Sequence, residues 1–199
     1  MGTAPAISPS TPRSSILDIA VRLFGSQGYT GTSMRDIAKA FGVLPGSLYA
    51  HIDSKETLLV EIVETGINHF LEAVEPIAAA EGSAGMRLRD AIRAHIIVVT
   101  ENPERSLVVF HQWRFLGDDY REAAIAKRQR YERAFIRILE DGIAEGVFDQ
   151  SLNVRIAVLT ILGALNWTPE WYSPKGTASP AEIGDMMANM LLRSLMFKG

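Results

Sequence analysis

The chain contains no cysteine, which excludes disulfides, thiolate zinc sites and cysteine nucleophiles. No stretch approaches the roughly 18 uninterrupted apolar residues that a membrane span needs. The first dozen residues lack the basic start and apolar core of a secretory signal. These absences lead us to expect a cytoplasmic protein with no membrane association. Catalytic constellations are missing as well. His51, His69, His95 and His111 fall on four different expected helices, with no i, i+4 pair and no His-Glu-x-x-His. There is no phosphate-binding glycine loop and no Gly-x-Ser-x-Gly elbow. Asp118-Asp119 and Glu140-Asp141 are adjacent carboxylates that read as solvated pairs. The sequence therefore implies no enzyme, no catalytic residue, no metal ligand and no cofactor. Strand-like alternation and internal repeats are absent too.

What is present is a soluble, helical pattern. The 199 residues suit one or two small domains, and the 47% hydrophobic content is ample for a buried core. Residues 32–58 organise the rest. Ser33 with Asp36 three positions on is a capping box. Met34, Ile37, Ala38 and Phe41 then form an apolar stripe, and Gly42 stands where a left-handed C-terminal residue is usual. Pro45 suits a first helical turn, with Leu48 and Ile52 inward, and Asp53-Ser54 opens a further helix.

Two short helices joined by a tight glycine turn have helix-turn-helix geometry, whose second helix enters the major groove. An ordinary αα-hairpin would show the same spacing. The free face suits DNA, however. Gly46 and Ser47 are small enough for close approach, Tyr49 and His51 carry donors for phosphate oxygens, and Lys55 adds a charge.

The run from Gly28 through Ala38, then Phe41-Gly42-Val43, Gly46 to Ile52 and Ser54 to Leu59, resembles the N-terminal domain of the TetR family of bacterial transcriptional repressors. By that resemblance Thr32, Tyr49, His51 and Lys55 are phosphate clamps, Arg35, Gly46 and Ser47 lie nearest base edges, and Ser33 counts with them among the DNA-binding residues. The chain departs from the family at two positions. Leu44 stands where Ser or Thr commonly caps the recognition helix, at a cost of about 1 kcal/mol, and Ile52 replaces the usual Phe.

Charge is spread unevenly. The formal net charge is −3 and the pI is near 5.8, unlike most nucleic-acid binders. Residues 1–60 hold five basic and four acidic groups, a charge of +1, which leaves −4 for the remainder. Helix N-termini, hydroxyls and a few placed cations must then carry phosphate contact, so non-specific DNA binding is expected to be weak.

Taken in order, residues 1–11 read as a disordered tail, residues 12–52 as the helix-turn-helix domain and residues 53–199 as a ligand-binding and dimerisation domain. The fold class is all-α, with about nine helices. The first covers 12–27, opened by Thr11-Pro12 and with Ile16, Ala20, Leu23 and Phe24 on one face. Long helices are expected at 53–80, 86–101, 103–116, 119–145, 153–167 and 180–197. The fourth of these carries a stripe of Tyr120, Ala124, Tyr131, Phe135 and Ile138. A Pro/Gly-rich loop through Pro169, Pro174 and Gly176 precedes the last.

From Val154 to Leu165 apolar residues cover nearly every side of a helix, which argues for burial all round. The final helix adds Ile183, Met186, Met187, Met190, Leu191 and Leu195. TetR-like proteins pair through their last two long helices, so the resemblance implies a homodimer presenting two recognition helices to a palindromic double-stranded operator.

Aromatic residues collect at two further places: Phe110, Trp113, Arg114 and Phe115, and Asn166, Trp167, Trp171 and Tyr172. Aromatics with a few polar groups line many small-molecule sites, though core filling is their commoner fate. Trp113 to Leu116, Arg128 with Tyr131-Glu132, Gly146-Val147-Phe148 and Asn166-Trp167 are similar to a TetR branch that represses fatty-acid and sterol degradation and answers to acyl-CoA thioesters. The effector so implied has a long or ring-bearing acyl part and an anionic CoA end. Phe110, Trp113 and Trp167 are the candidate contacts for the first and Arg114 or Arg128 for the phosphates or thioester surroundings, with Phe70, Tyr131 and Asn166 as further ligand-binding candidates. The reading is a ligand-responsive repressor whose long helix from Asp53 acts as lever. The alternative is a small-molecule-binding or scaffold protein of the same fold without operator binding.

Overall fold

The computed structural model describes residues 12–196. The expected tail at 1–11 and the Thr11 cap lie outside the described residues. Every described element is helical, and the expected helices are present, the one at 103–116 in broken form.

Helix α1, Pro12–Gln27, buries Ile16, Ile19, Ala20, Val21 and Phe24 and stops at Gly28, whose φ of +79° a side chain would resist. Helix α2, Met34–Phe41, begins with the expected capping box. Ser33 Oγ accepts the Asp36 N–H at 3.2 Å, and Asp36 accepts the Ser33 N–H at 2.8 Å. Gly42 ends it in the left-handed region at φ 83°. Helix α3, Pro45–Leu48, is a single turn. Leu44 gives it no side-chain cap, and the Ser47 N–H donates instead to the Leu44 carbonyl at 3.0 Å. Leu48 and Ile52 are both buried.

Helix α4, Lys55–Ala79, is capped by Ser54, which accepts the Thr57 N–H at 3.0 Å. Its apolar stripe includes Leu59, Ile62, Gly66, Phe70 and Val74. Helix α5, Ala84–Glu101, lies against α4 and buries Leu88, Ile92, His95 and Val99. Arg87, on the same helix, is nearly buried. It donates to the Ala78 carbonyl at 3.1 Å and to Asp141 at 2.9 Å, with Glu145 at 3.4 Å, and so ties α4, α5 and the next long helix together. Asp141 is thus ion-paired, which corrects the expectation of a merely solvated carboxylate.

The expected helix at 103–116 is not continuous. Helix α6, Pro103–Leu107, widens into a π turn over Val108–Gln112 and tightens into a 3-10 turn over Trp113–Phe115. The widened turn carries three consecutive buried residues, Val108, Val109 and Phe110. Gly66 on α4 makes room for it: a Cβ there would lie 2.3 Å from Val109 Cγ2. Turns of this type are rare and concentrate at functional sites.

Helix α7, Asp118–Ala144, buries Ala124, Tyr131, Phe135 and Ile138 as expected. Tyr120 departs from the stripe and is exposed, because the first turn of α7 projects beyond the core. Helix α8, Val154–Asn166, is buried on one side only, through Val158, Ile161, Leu162 and Leu165. The Pro/Gly-rich loop contains one further turn, α9, Thr168–Trp171, before α10, Pro180–Leu195. Helix α10 opens on a second capping box, Ser179 with Glu182, and packs along α5. No helix among the described residues is long and apolar enough to cross a membrane.

Candidate functional site

Two places concentrate the candidate residues, and one segment joins them. The first is the surface of α2 and α3. Ser33, Arg35, Gly46, Ser47, Tyr49 and His51 are all exposed, Tyr49 at 54%. A Cβ on Gly46 would meet nothing within 4 Å, so the protein's own packing does not require glycine there. Ser33 keeps its hydroxyl in the capping box, and its bonds hold the Asp36 carboxyl below the usual carboxylate range.

Thr32 and Lys55 are arranged differently from the clamp reading. Thr32 is buried, and its hydroxyl donates to the Gly28 carbonyl at 2.9 Å and lies 3.3 Å from that of Leu23. Lys55 sends its ammonium to the carbonyls of Tyr29 and Thr32, both at 2.8 Å, and over the Tyr29 ring at 4.1 Å. Thr32 fastens the 29–32 loop to the end of α1, and Lys55 fastens it to the start of α4. Their geometry is that of positioning groups behind the exposed face.

The second place is a cavity of about 240 Å³ between α4, the π turn, α7 and α8. Ile67 and Phe70 come from α4, Val109 and Phe110 from the π turn, Arg128, Tyr131 and Glu132 from α7, and Leu159, Leu162, Gly163 and Asn166 from α8. Five sequence candidates therefore meet there: Phe70, Phe110, Arg128, Tyr131 and Asn166. Trp113, Arg114 and Trp167 do not line it. Trp113 sits outside the wall with its ring 5.1 Å from the Arg128 guanidinium and 5.7 Å from that of Arg114, which is exposed. Trp167 caps the end of α8 and is 59% exposed. The turns at Trp113–Phe115 and after Asn166 rotate these side chains away from the cavity.

Burial pushes the Arg128 guanidinium down from its ordinary value, with Glu132 opposing and Arg114 assisting. It remains a cation at any physiological pH. Behind the wall His95 is fully buried, with Nδ1 2.8 Å from the Tyr131 hydroxyl. Burial lowers its imidazole to about 3 and raises the Tyr131 phenol well above its ordinary value. His95 is therefore a neutral core group. Among the described residues no three His, Asp or Glu side chains gather as a metal site.

The joining segment runs from Val108 to Gly117, and no pattern in the sequence signals it. Val109 and Phe110 line the cavity. Two residues on, Gln112 accepts the Tyr29 N–H at 3.1 Å. Phe115 stacks on the Tyr29 ring at 5.8 Å, and the Gly117 N–H donates to Glu56 at 2.9 Å. Tyr29 is in turn the residue whose carbonyl holds Lys55. Tyr29 and Glu56 lie inside the motif, but nothing in the sequence pairs them with Gln112 or Gly117.

An exposed helix-turn-helix face joined to a larger helical body is the architecture of a DNA-binding regulator. Residues 16–62 match the bacterial regulatory proteins of the tetR family, and residues 81–195 match the tetracyclin repressor-like C-terminal domain. The chain belongs to the TetR family: it is a DNA-binding transcriptional regulator and not an enzyme. It is 25% identical over 185 residues to the HTH-type transcriptional repressor KstR2 of Mycolicibacterium smegmatis, covering 92% of this chain and 90% of that one. The TetR family regulator PfmR from Thermus thermophilus superimposes with a TM-score of 0.79 at 31% identity, covering 89% and 97% of the two chains. AibR, in complex with isovaleryl coenzyme A and operator DNA, superimposes with a TM-score of 0.80 at 28% identity over 92% and 98%.

Proposed function

We propose that this chain is a homodimeric repressor that leaves a palindromic operator when an acyl-CoA thioester fills the cavity. The observation that carries the reading is the Val108–Gly117 bridge, which lines the cavity at Val109 and Phe110 and holds the helix-turn-helix loop at Gln112 and Phe115. A ligand pressing on the π turn bears on Tyr29 through two contacts. Helix α4 supplies a parallel lever, since Phe70 lines the cavity and Lys55, at its start, is fastened to the loop. AibR, bound to both isovaleryl coenzyme A and operator DNA, supports the effector class and its compatibility with this fold. The apolar walls suit an acyl part, and Arg128 suits the anionic end.

In this reading residues 12–52 read DNA and residues 53–199 sense and dimerise. Arg35, Gly46 and Ser47 approach base edges, and Tyr49 and His51 donate to phosphates. The dimer forms through α8 and α10, which leave Ile156, Leu159, Trp167, Met186 and Met190 exposed, Met190 at 74%. Apolar surface left open on both helices calls for a partner, and a second copy gives the two-fold pairing that an operator palindrome mirrors.

Fluorescence anisotropy of the purified protein on DNA from its own upstream region, at fixed salt, tests the proposal. Tight binding released by acyl-CoA supports it. Tight binding indifferent to every acyl-CoA removes the effector, and no binding removes the operator reading.

A further inference from the structure

We propose that Phe70 and Val109 form a fixed partition that limits the effector's acyl group to a short or medium chain; this rests on the acyl-CoA reading of the same cavity. The two side chains line both the 240 Å³ cavity and a separate cleft of about 170 Å³ on their far side. The cleft is walled by His69, Glu101, Asn102 and Arg105 together with Val98, and it is the more polar of the two spaces.

The partition is held from both faces. Phe70 contacts the rings of His95, Phe110 and Tyr131 at 4.9, 5.3 and 5.9 Å between centroids. Tyr131 is itself fixed by its 2.8 Å bond to the buried His95. Val109 is seated against the bare backbone of Gly66, where any Cβ would collide with it. Phe70 is thus held by three rings and Val109 by the Gly66 backbone, with the two voids on either side of them.

Size then sets the limit. A dry cavity of about 150 Å³ accepts benzene, so 240 Å³ holds roughly ten carbon-sized atoms on the same scale. That admits a linear or branched acyl group of up to about nine carbons and excludes both a fatty chain of twice that length and a fused four-ring skeleton. A chain that runs on past the partition has to displace Phe70 or Val109 and lay methylenes beside Glu101 and Arg105, whose Nε is already buried without a hydrogen-bond partner. Stripping water from those groups without replacing its bonds is unfavourable.

Isothermal titration of the full chain with butanoyl-, octanoyl-, dodecanoyl- and hexadecanoyl-CoA tests this, with a parallel series of straight-chain alcohols from hexanol to dodecanol. Wild-type affinity should rise to octanoyl and fall by at least about tenfold at hexadecanoyl. Val109→Ala opens the partition and should cut that loss to about threefold or less, and Phe70→Leu serves the same purpose if the first variant unfolds. Hexadecanoyl-CoA binding the wild type as tightly as octanoyl-CoA overturns the partition, as does a folded Val109→Ala protein with an unmoved length profile. If no CoA ester binds but the alcohols lose affinity beyond nonanol, the acyl-CoA reading fails and the partition stands. Alcohols without a cut-off overturn it.

Discussion

Tyr29 donates its backbone N–H to Gln112 Oε1 at 3.1 Å, across 83 positions of sequence. The acceptor belongs to the π turn that walls the cavity, and the donor belongs to the loop that carries the helix-turn-helix. Removing the amide should therefore weaken communication more than binding. Gln112→Ala is expected to keep operator affinity within about threefold and to reduce effector-driven release from about a hundredfold to about tenfold or less, a loss of about 1.4 kcal/mol of coupling. Anisotropy with and without effector measures both quantities. Unchanged release would assign the coupling to α4 alone.

Lys55 distinguishes a positioning role from a phosphate clamp. Its two carbonyl partners and the Tyr29 ring predict that Lys55→Met destabilises the protein by about 1 kcal/mol, as two part-buried acceptors lose a charged donor. Urea unfolding reads this directly. A variant with wild-type stability and weakened DNA binding would return Lys55 to the clamp role.

Tyr49 and His51 are exposed and support no core packing. Tyr49→Phe and His51→Ala should each weaken operator binding by about 1 kcal/mol while leaving thermal unfolding unmoved. Unaltered operator affinity in both would remove them from the DNA interface.

His95 predicts a pH dependence of stability. Its folded value is about 3 against 6.5 for the free group, so the unfolded chain takes up the proton more readily. The imidazole's contribution is complete above pH 6.5 and is lost as pH falls toward 3. Between pH 6.5 and 4.5 the loss amounts to about 2 kcal/mol. Carboxylates titrate in the lower part of this range, so the comparison is with His95→Gln, which keeps a polar partner for Tyr131. Denaturant curves at both pH values should show the wild type losing about 2 kcal/mol more than the variant. Equal losses would mean that His95 is not held neutral.

The parts legible in the sequence are those set by local chemistry. The Ser33–Asp36 box, the Gly42 stop and the start of α4 at Ser54 each depend on residues within four positions, and the structure has them as read. Phe70, Phe110 and Tyr131 are recognisable by size and helical phase, and they meet at the cavity. The break after Leu107 is not legible, because it depends on Gly66, a residue more than forty positions away, making room for Val109. That break also turns Trp113 and Arg114 out of the cavity. Gln112 carries no signal at all, since its role consists of one bond to a distant backbone amide.

If cavity and operator face share one free energy, linkage makes the coupling measurable from either side. An effector that weakens operator binding by a given factor must itself bind the operator complex more weakly by that factor. Titrating octanoyl-CoA into the free protein and into the preformed protein–operator complex by calorimetry provides the test. The two affinities should differ by the factor found for DNA release, about a hundredfold or 2.8 kcal/mol. Equal affinity for the free and the DNA-bound protein would contradict the coupling.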